Sequence, residues 1–368
     1  MAKVKERIQK MSHYKPPLEG RSSEDYLFLD FNERTNEPSP KVKEALKKFI
    51  DSGRLQVYPE YGDLEAKIAQ YAEVPTSQVM VTNGGDQGID IICRAYLDEG
   101  DKIIIPFPSF AMHYQSAGIQ GAEFLEPAYK EDGEFPLEEI FDLLEDEKVK
   151  LVILCNPNNP TGIAISIEDV EKILKKAKEK NIAVLHDEAY FEFTRFGQEN
   201  IQQRRIFAGI TAKDLIEKYD NLYIMRTFAK AFGLVASRAG YLISKEENIQ
   251  ELLKIRGPYD VNMFAKTAIS AALEDTQYME NYVKEVMEIS KPKLEKFLRE
   301  KRIFFYQSAA NFLFLKVVNP QEIIDKLKSK GILVRPKKGP DGKGAVRVSI
   351  GTLEDTNRFT SSFSEIWG

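Results

Sequence analysis

Lys230 lies in RTFAKAFGLVASRAGYLIS, Arg226 to Ser244, where nearly every neighbour is small or apolar. A lysine so placed loses hydration, which disfavours its ammonium form. The amine can then act as a nucleophile and as a general acid or base near neutral pH. Taken singly, a stem snorkelling from a core helix explains it too. Asp187 ends the apolar run IAVLHDEAY. A carboxylate there either caps a helix or pairs with a buried cation. In CNPNNPTG, Cys155 to Gly162, two prolines and three asparagines follow a buried run, fixing a rigid turn that presents side-chain amides. VTNGGDQG carries Gly84, Gly85, Asp86 and Gln87 into a helix straight after a strand. Its backbone N–H groups suit a phosphate, although a plain strand-to-helix turn uses two glycines equally well. Arg347 sits in the apolar run AVRVSIG, where an unpaired guanidinium would be costly, whereas Arg335, beside PKKGPDGK, also reads as a solvated strand end.

These residues fall at the ends of repeated elements. QVMVTNGG, DKIIIPFP, VKLVILCNP, IAVLHDEAY, NLYIMRTFAK and SRAGYLIS are short apolar runs that stop at polar or turn-forming residues. Between most of them lie stretches such as SIEDVEKILKKAKEK, with Ile167, Val170, Ile173 and Leu174 at helical spacing. The alternation predicts an α/β unit with a mostly parallel sheet, whose ligands sit at the carboxyl ends of its strands. After about Asp260 the rhythm changes to long helices, ENYVKEVMEISKPKLEKFLREK among them. FFYQSA, NFLFLKVV, ILVRPK and AVRVSIGT follow, predicting a smaller α+β domain.

Bulk properties narrow the function. With 368 residues, 43% of them hydrophobic, the chain can bury a large core, and its length favours two domains. The net charge of −5, from 52 basic and 57 acidic residues, offers no footprint for nucleic acid or an anionic membrane. Small polar ligands are expected instead. Cys93 and Cys155 are the only cysteines, and the start MAKVKERIQKMSHYK has no apolar stretch to serve as a signal peptide, so a reducing, cytoplasmic setting is expected. Two cysteines and three histidines at no metal-ligand spacing predict no protein-held transition metal.

Taken in order, LDFNE, YPEYGDLEAKIAQY, NGGDQ, PFPSFAMHY, NPNNPTG, DEAY, TFAKAFGLVASRAGY, RGPYDVN, NFLF, LVRP and VRVSIGT span roughly residues 29 to 352. Together they resemble the fold-type I pyridoxal-phosphate aminotransferases, in particular their histidinol-phosphate aminotransferase branch. The resemblance implies the fold of that family: residues 46–265 as a large cofactor-binding domain, 266–368 as a small domain, and 1–45 as a segment joining the small domain. It also implies pyridoxal 5'-phosphate as cofactor and a homodimer with shared active sites.

Residue roles carry over by position. Lys230 would bond the cofactor aldehyde and then move a proton at the substrate's α carbon. Asp187 would keep the pyridinium nitrogen protonated. Asn159 and Tyr190 would hydrogen-bond the ring's phenolic oxygen, and Phe110 would stack on its face. Backbone N–H groups of Gly85, Asp86 and Gln87, with Arg238 and the Thr227 hydroxyl, would hold the cofactor phosphate. Tyr58 would reach that phosphate from the partner subunit. Asn32, Arg335 and Arg347 would face the substrate. Ala229 stands where relatives usually carry Ser, removing one phosphate hydroxyl, and Arg34, Thr35, Asn36 and Glu37 replace the usual Asn-Pro-x-Gly of a loop that covers substrate. Both arginines would grip a substrate phosphate in a histidinol-phosphate enzyme, with 2-oxoglutarate or glutamate as the second partner. With an aromatic or other amino acid, Arg347 alone would pair with the α-carboxylate. A decarboxylase or oxidase on the same scaffold is the other reading, since the bond broken depends on substrate orientation. A silent binding protein fits these residues poorly.

Overall fold

The computed structural model describes residues 2–196 and 210–367. Its centre is a seven-stranded sheet of β2 (Val79–Thr82), β3 (Lys102–Ile104), β4 (Glu123–Leu125), β5 (Val149–Cys155), β6 (Ala183–Asp187), β7 (Leu222–Thr227) and β8 (Gly240–Ile243), with β1 (Leu27–Phe28) lying outside it. The order is β2-β8-β7-β6-β5-β3-β4. All neighbours are parallel except those of β8, which runs antiparallel to both β2 and β7. Helices cover both faces, so β2, β6, β7 and β8 are buried along their whole length and read as continuous apolar runs. β4, a half-exposed edge strand in GAEFLEPA, lacks that run and gave no comparable signal.

α1 (Pro40–Asp51) lies outside the site, whereas α2 (Gly84–Tyr96) and α3 (Ala111–Gln120) bear directly on it. α4 (Ile167–Glu179) shows the local logic. The Ser166 hydroxyl accepts from the Asp169 backbone N–H to cap its start, and Val170, Ile173, Leu174 and Ala177 form the buried stripe. Ile167 is only half-buried, because the first residue of the helix lies at the rim of the sheet.

The second sheet is antiparallel, in the order β12 (Arg335–Lys338), β13 (Gly344–Ser349), β10 (Phe312–Lys316), β9 (Phe304–Phe305). The helical run before it, Thr276 to Glu300, passes through a π-turn at Glu285–Ser290, just ahead of Pro292, whose missing N–H disrupts the i→i−4 ladder. β1 pairs in parallel with β11 (Ile332–Leu333), and the backbone N–H of Ser349 donates to the Leu29 carbonyl. The residues after β1 are therefore laid along the small sheet and led to the large sheet's carboxyl edge. One buried cluster runs from Ile68, Val184 and Phe228 through to Phe312, Leu313 and Phe359, so the two sheets share a continuous core. α1 packs against α5 (Met263–Leu273) across the same seam.

Candidate active site

A cavity of about 440 Å³ opens at the carboxyl ends of β5, β6 and β7 and is closed on its far side by β12, β13 and the segment around Tyr14–Glu33. That volume suits a small-molecule ligand. Lys230 projects into it from the turn after β7, and its Nζ donates to the Phe31 carbonyl at 3.0 Å. Burial, with Arg347 adding to it, brings the ammonium down to about 8.

Asp187 and Glu188 are adjacent acids with opposite fates, because alternation along the extended chain turns them to opposite faces. Glu188 faces away, bound to Arg226 Nε at 2.8 Å, His186 and the Ala212 backbone N–H. Burial pushes its carboxyl up, but Arg226 and His186 prevail and hold it at about 2. Asp187 faces the cavity. Its Oδ2 meets His113 Nε2 at 3.0 Å and its Oδ1 accepts from the Ala189 backbone N–H at 3.0 Å. His113 in turn meets the Ser109 hydroxyl at 2.9 Å. Three residues from Phe110 in PSFAMHY, it sits on the first turn of α3 directly below the Phe110 ring, which contacts it edge-on. Its role was not read from the sequence, where an isolated histidine near an aromatic residue is a weak signal.

Of the three asparagines in CNPNNPTG, two are consumed by the turn. Asn156 exchanges hydrogen bonds with the backbone of Ile165, and Asn158 bonds to Pro108 and Thr161. Asn159 alone presents its amide to the cavity, donating to the Tyr190 hydroxyl at 3.3 Å and accepting from Arg347 Nη1 at 2.7 Å. Tyr190 also accepts from the Asn32 amide at 2.9 Å, and burial pushes its hydroxyl well above its ordinary range. With two donors already aimed at its oxygen, its own proton is left to point into the cavity.

At the opposite wall the first turn of α2 exposes unpaired backbone N–H groups beside Thr227, Ala229 and Arg238. Arg238 has φ 54°, a left-handed conformation that a bulky residue rarely takes, and its guanidinium meets Asp86 at 2.9 Å. The glycines are required by close approach. A Cβ on Gly85 would lie 2.6 Å from the Met225 sulfur, and one on Gly240 would lie 2.7 Å from the Gly84 backbone. The Thr227 hydroxyl accepts from the Ala229 backbone N–H and donates to the Ala239 carbonyl.

Three of the expected residues do not present their side chains to this chain's cavity. Asn32 is fully buried behind Tyr190, and its amide oxygen is taken by the Ser349 hydroxyl, so it supports the cavity wall without lining it. The Gln87 side chain accepts from the Asn83 backbone N–H and donates to Asp260, away from the cavity, leaving only its backbone near the helix start. Tyr58 is 72% exposed and stacks on Tyr259, outside the cavity lining. The Arg34–Glu37 loop, which replaces the substrate-covering loop of relatives, is not part of the cavity lining. Arg34 is buried against Tyr278 and Tyr282 and donates to the Ala231 carbonyl, one residue past Lys230. Only Glu33 of that neighbourhood lines the cavity.

Linear spacing also understated one cluster. His113, Cys155 and Asp187 bring a nitrogen, a sulfur and an oxygen within 4.8 Å of one another, from positions far apart in sequence. The hydrogen bonds just described engage His113 and Asp187 without an ion.

At the substrate end, Arg347 is buried, with Nη1 on Asn159 and Nη2 on the Asp30 carbonyl at 2.6 Å. Burial lowers it to about 10. Arg335 lies flat on Phe31, 4.7 Å from the ring centroid. Nη1 of Arg335 and Nε of Arg347 are buried without a partner. Arg21, Lys337 and Tyr14 complete this wall and were absent from the sequence reading.

Residues 24–363 match the family described as aminotransferase class I and II. A histidinol-phosphate aminotransferase of Staphylococcus carnosus is 35% identical over 371 residues, covering 96% of this chain and 97% of that one. Among solved structures, the histidinol-phosphate aminotransferase of Sinorhizobium meliloti in complex with pyridoxal-5'-phosphate superposes with a TM-score of 0.86 at 23% identity, over 100% of this chain and 98% of that one. The L-threonine-O-3-phosphate decarboxylase of Porphyromonas gingivalis shares the fold, with a TM-score of 0.74 at 20% identity, over 92% and 98% of the two chains.

Proposed function

The chain belongs to the class I and II aminotransferases, pyridoxal-phosphate enzymes, and we propose that it transfers the amino group of histidinol phosphate to 2-oxoglutarate, in histidine biosynthesis. The observation that carries the substrate choice is that Arg335 and Arg347 both line the cavity with Lys230 and each keeps a guanidinium nitrogen without a partner in the protein. Donors left unpaired in a protein interior are costly, and a substrate anion would satisfy both at once.

The residues present fit the cofactor. A lysine with a lowered ammonium, a carboxylate at the strand end and a glycine-opened helix start with an adjacent arginine match an aldehyde, a ring nitrogen and a phosphate. When bound, pyridoxal phosphate supplies an aldehyde for amine exchange and a ring that spreads the electron pair left at the substrate's α carbon. Lys230 is the nucleophile toward that aldehyde. With the cofactor and substrate bound, its free amine would be the base that takes the proton from the substrate's α carbon and the acid that gives it back. Asp187, oriented by His113, holds a proton on the ring nitrogen. Tyr190 and Asn159 would donate to the ring's phenolic oxygen, Phe110 would cover one face, and the N–H groups of Gly85, Asp86 and Gln87 with Arg238 and Thr227 would receive the phosphate. Arg335 and Arg347 orient the far end of the substrate and so fix which α-carbon bond lies in line for cleavage.

We read residues 46–265 as the cofactor-holding domain, and residues 1–45 with 266–368 as the part that closes on the substrate. This division is supported by the β1–β11 pairing. A homodimer is part of the same reading: Leu55, Val57, Tyr58 and Tyr259 are exposed, with Tyr58 stacked on Tyr259, an apolar surface of the kind a subunit interface covers. Among the described residues no helix is long and apolar enough to cross a membrane. We place the enzyme in the cytoplasm, consistent with its two free, buried cysteines.

Single-turnover absorbance of the cofactor tests the substrate directly. Histidinol phosphate should convert the holoenzyme to its pyridoxamine form. Conversion by an aromatic amino acid alone would replace that donor. Carbon dioxide release without the pyridoxamine form would make the protein a decarboxylase.

A further inference from the structure

β12 runs Arg335-Pro336-Lys337-Lys338, and alternation along the strand turns Arg335 and Lys337 inward while Pro336 and Lys338 stay exposed. Both inward residues line the cavity beside Arg347, which is the cross-strand partner of Arg335 on β13. Three cations therefore converge from two adjacent strands. The nearby acids are already committed. Asp30 and Glu33 hold Arg21, Asp86 holds Arg238, and Asp187 is bound to His113. The Lys337 ammonium has no hydrogen-bond or ion-pair partner among the described residues. Burial first, then Arg347 and Arg335, bring it down to about 7, so an anion beside it is what would keep it charged.

We propose that Lys337 is the third arm of the substrate's anion subsite and sets its preference for a doubly charged phosphate monoester over a carboxylate. A carboxylate carries one charge on two oxygens, and a single bidentate guanidinium satisfies it. A phosphate monoester carries close to two charges on three terminal oxygens, enough to take one N–H from each of Arg335, Lys337 and Arg347. The subsite is built for the ligand that leaves none of the three unpaired. This inference rests on the assignment of Arg335 and Arg347 to the substrate side.

Calorimetric titration of the holoenzyme with inorganic phosphate and with acetate, in wild type, Lys337→Met and Lys337→Arg, tests it. Cofactor absorbance and circular dichroism serve as controls for folding. Phosphate affinity should fall at least tenfold in Lys337→Met and return to within threefold of wild type in Lys337→Arg, while acetate changes less than threefold in either. The KM for histidinol phosphate should follow the phosphate affinity. Unchanged phosphate affinity in Lys337→Met, equal loss for both anions, or no phosphate binding by wild type overturns the inference. If phosphate binding depends on Lys337 but wild type does not turn over histidinol phosphate, the subsite stands and the proposed substrate fails. If wild type does turn it over and Lys337→Met matches wild type, the substrate stands and the role of Lys337 fails.

Discussion

The two walls of the cavity differ in how completely their polar groups are paired. At the Asp187 wall the polar side chains have partners within the protein: Asp187 has His113 and a backbone N–H, and Tyr190 has two amides. At the Arg335 wall, Arg335 Nη1 and Arg347 Nε have none. A ligand held permanently needs groups already fixed in place, so that no reorganisation accompanies each turnover. A ligand exchanged in every cycle needs a wall that becomes fully paired only when it arrives. The contrast separates what the fold holds from what it turns over.

The largest effect should come from the paired wall. Lys230→Ala should lower transamination by at least about 10⁴-fold, the upper range of what one positioned acid–base group supplies. Borohydride reduction of wild-type holoenzyme followed by peptide mapping should find the pyridoxyl group on Lys230; a label on another lysine removes it from the centre of the site. Next, Asp187→Ala should retain fold and some cofactor yet lose turnover by several orders of magnitude, because the ring nitrogen loses the charge that keeps it protonated. Near-normal turnover would mean that pairing at this wall serves only the fold.

A smaller effect is expected at the unpaired wall. Arg335→Ala and Arg347→Ala should each weaken a phosphate donor by about 1.5 to 3 kcal/mol, the usual worth of a hydrogen bond to a charged group. The two half-reactions need separate measurement, because 2-oxoglutarate uses the same wall. If donor kinetics are identical in wild type and Arg335→Ala, only Arg347 grips the substrate, and a carboxylate donor replaces the phosphate one. The smallest effect is in pH. Lys230 is lowered to about 8, so its amine predominates above that pH and its ammonium below. Uptake of pyridoxal phosphate by the cofactor-free protein should therefore speed up as pH rises through about 8 and slow about tenfold per unit below it. A flat profile from pH 6 to 9 would mean that the local environment of Lys230 does not set its reactivity.

The paired wall was the more legible in sequence, for a physical reason. Its side chains follow directly on apolar runs, so the end of the strand and the polar residue appear together, as in LHD and CNPNN. The six strands forming that scaffold were read from the same signal, while the edge strand β4 escaped it. What could not be read is which of several like residues faces the cavity. Asn159 is singled out from Asn156 and Asn158 only by bonds to Ile165, Pro108 and Thr161. Asn32 was expected at the substrate, but Tyr190 and Ser349 engage its side chain, over sequence distances that no local pattern reports. Lys337 was hidden differently. PKKGPDGK has the composition of a solvated turn, and only the pairing of β12 with β13 makes every second residue an inward one.

The bond from Arg347 to the Asp30 carbonyl joins residues 317 positions apart, and so does the Ser349 hydroxyl bond to Asn32. The glycine-opened helix start, the strand ends and Lys230, by contrast, all lie between Gly84 and Gly240. On a chain emerging from the ribosome, the groups for the cofactor are therefore all available while more than a hundred residues remain to be added. The substrate wall can close only after β13 has been made, and only by drawing together the two ends of the polypeptide, the contacts with the largest loop-closure cost and the slowest formation. Assembly thus has a built-in order, with the cofactor's seat available before the substrate's.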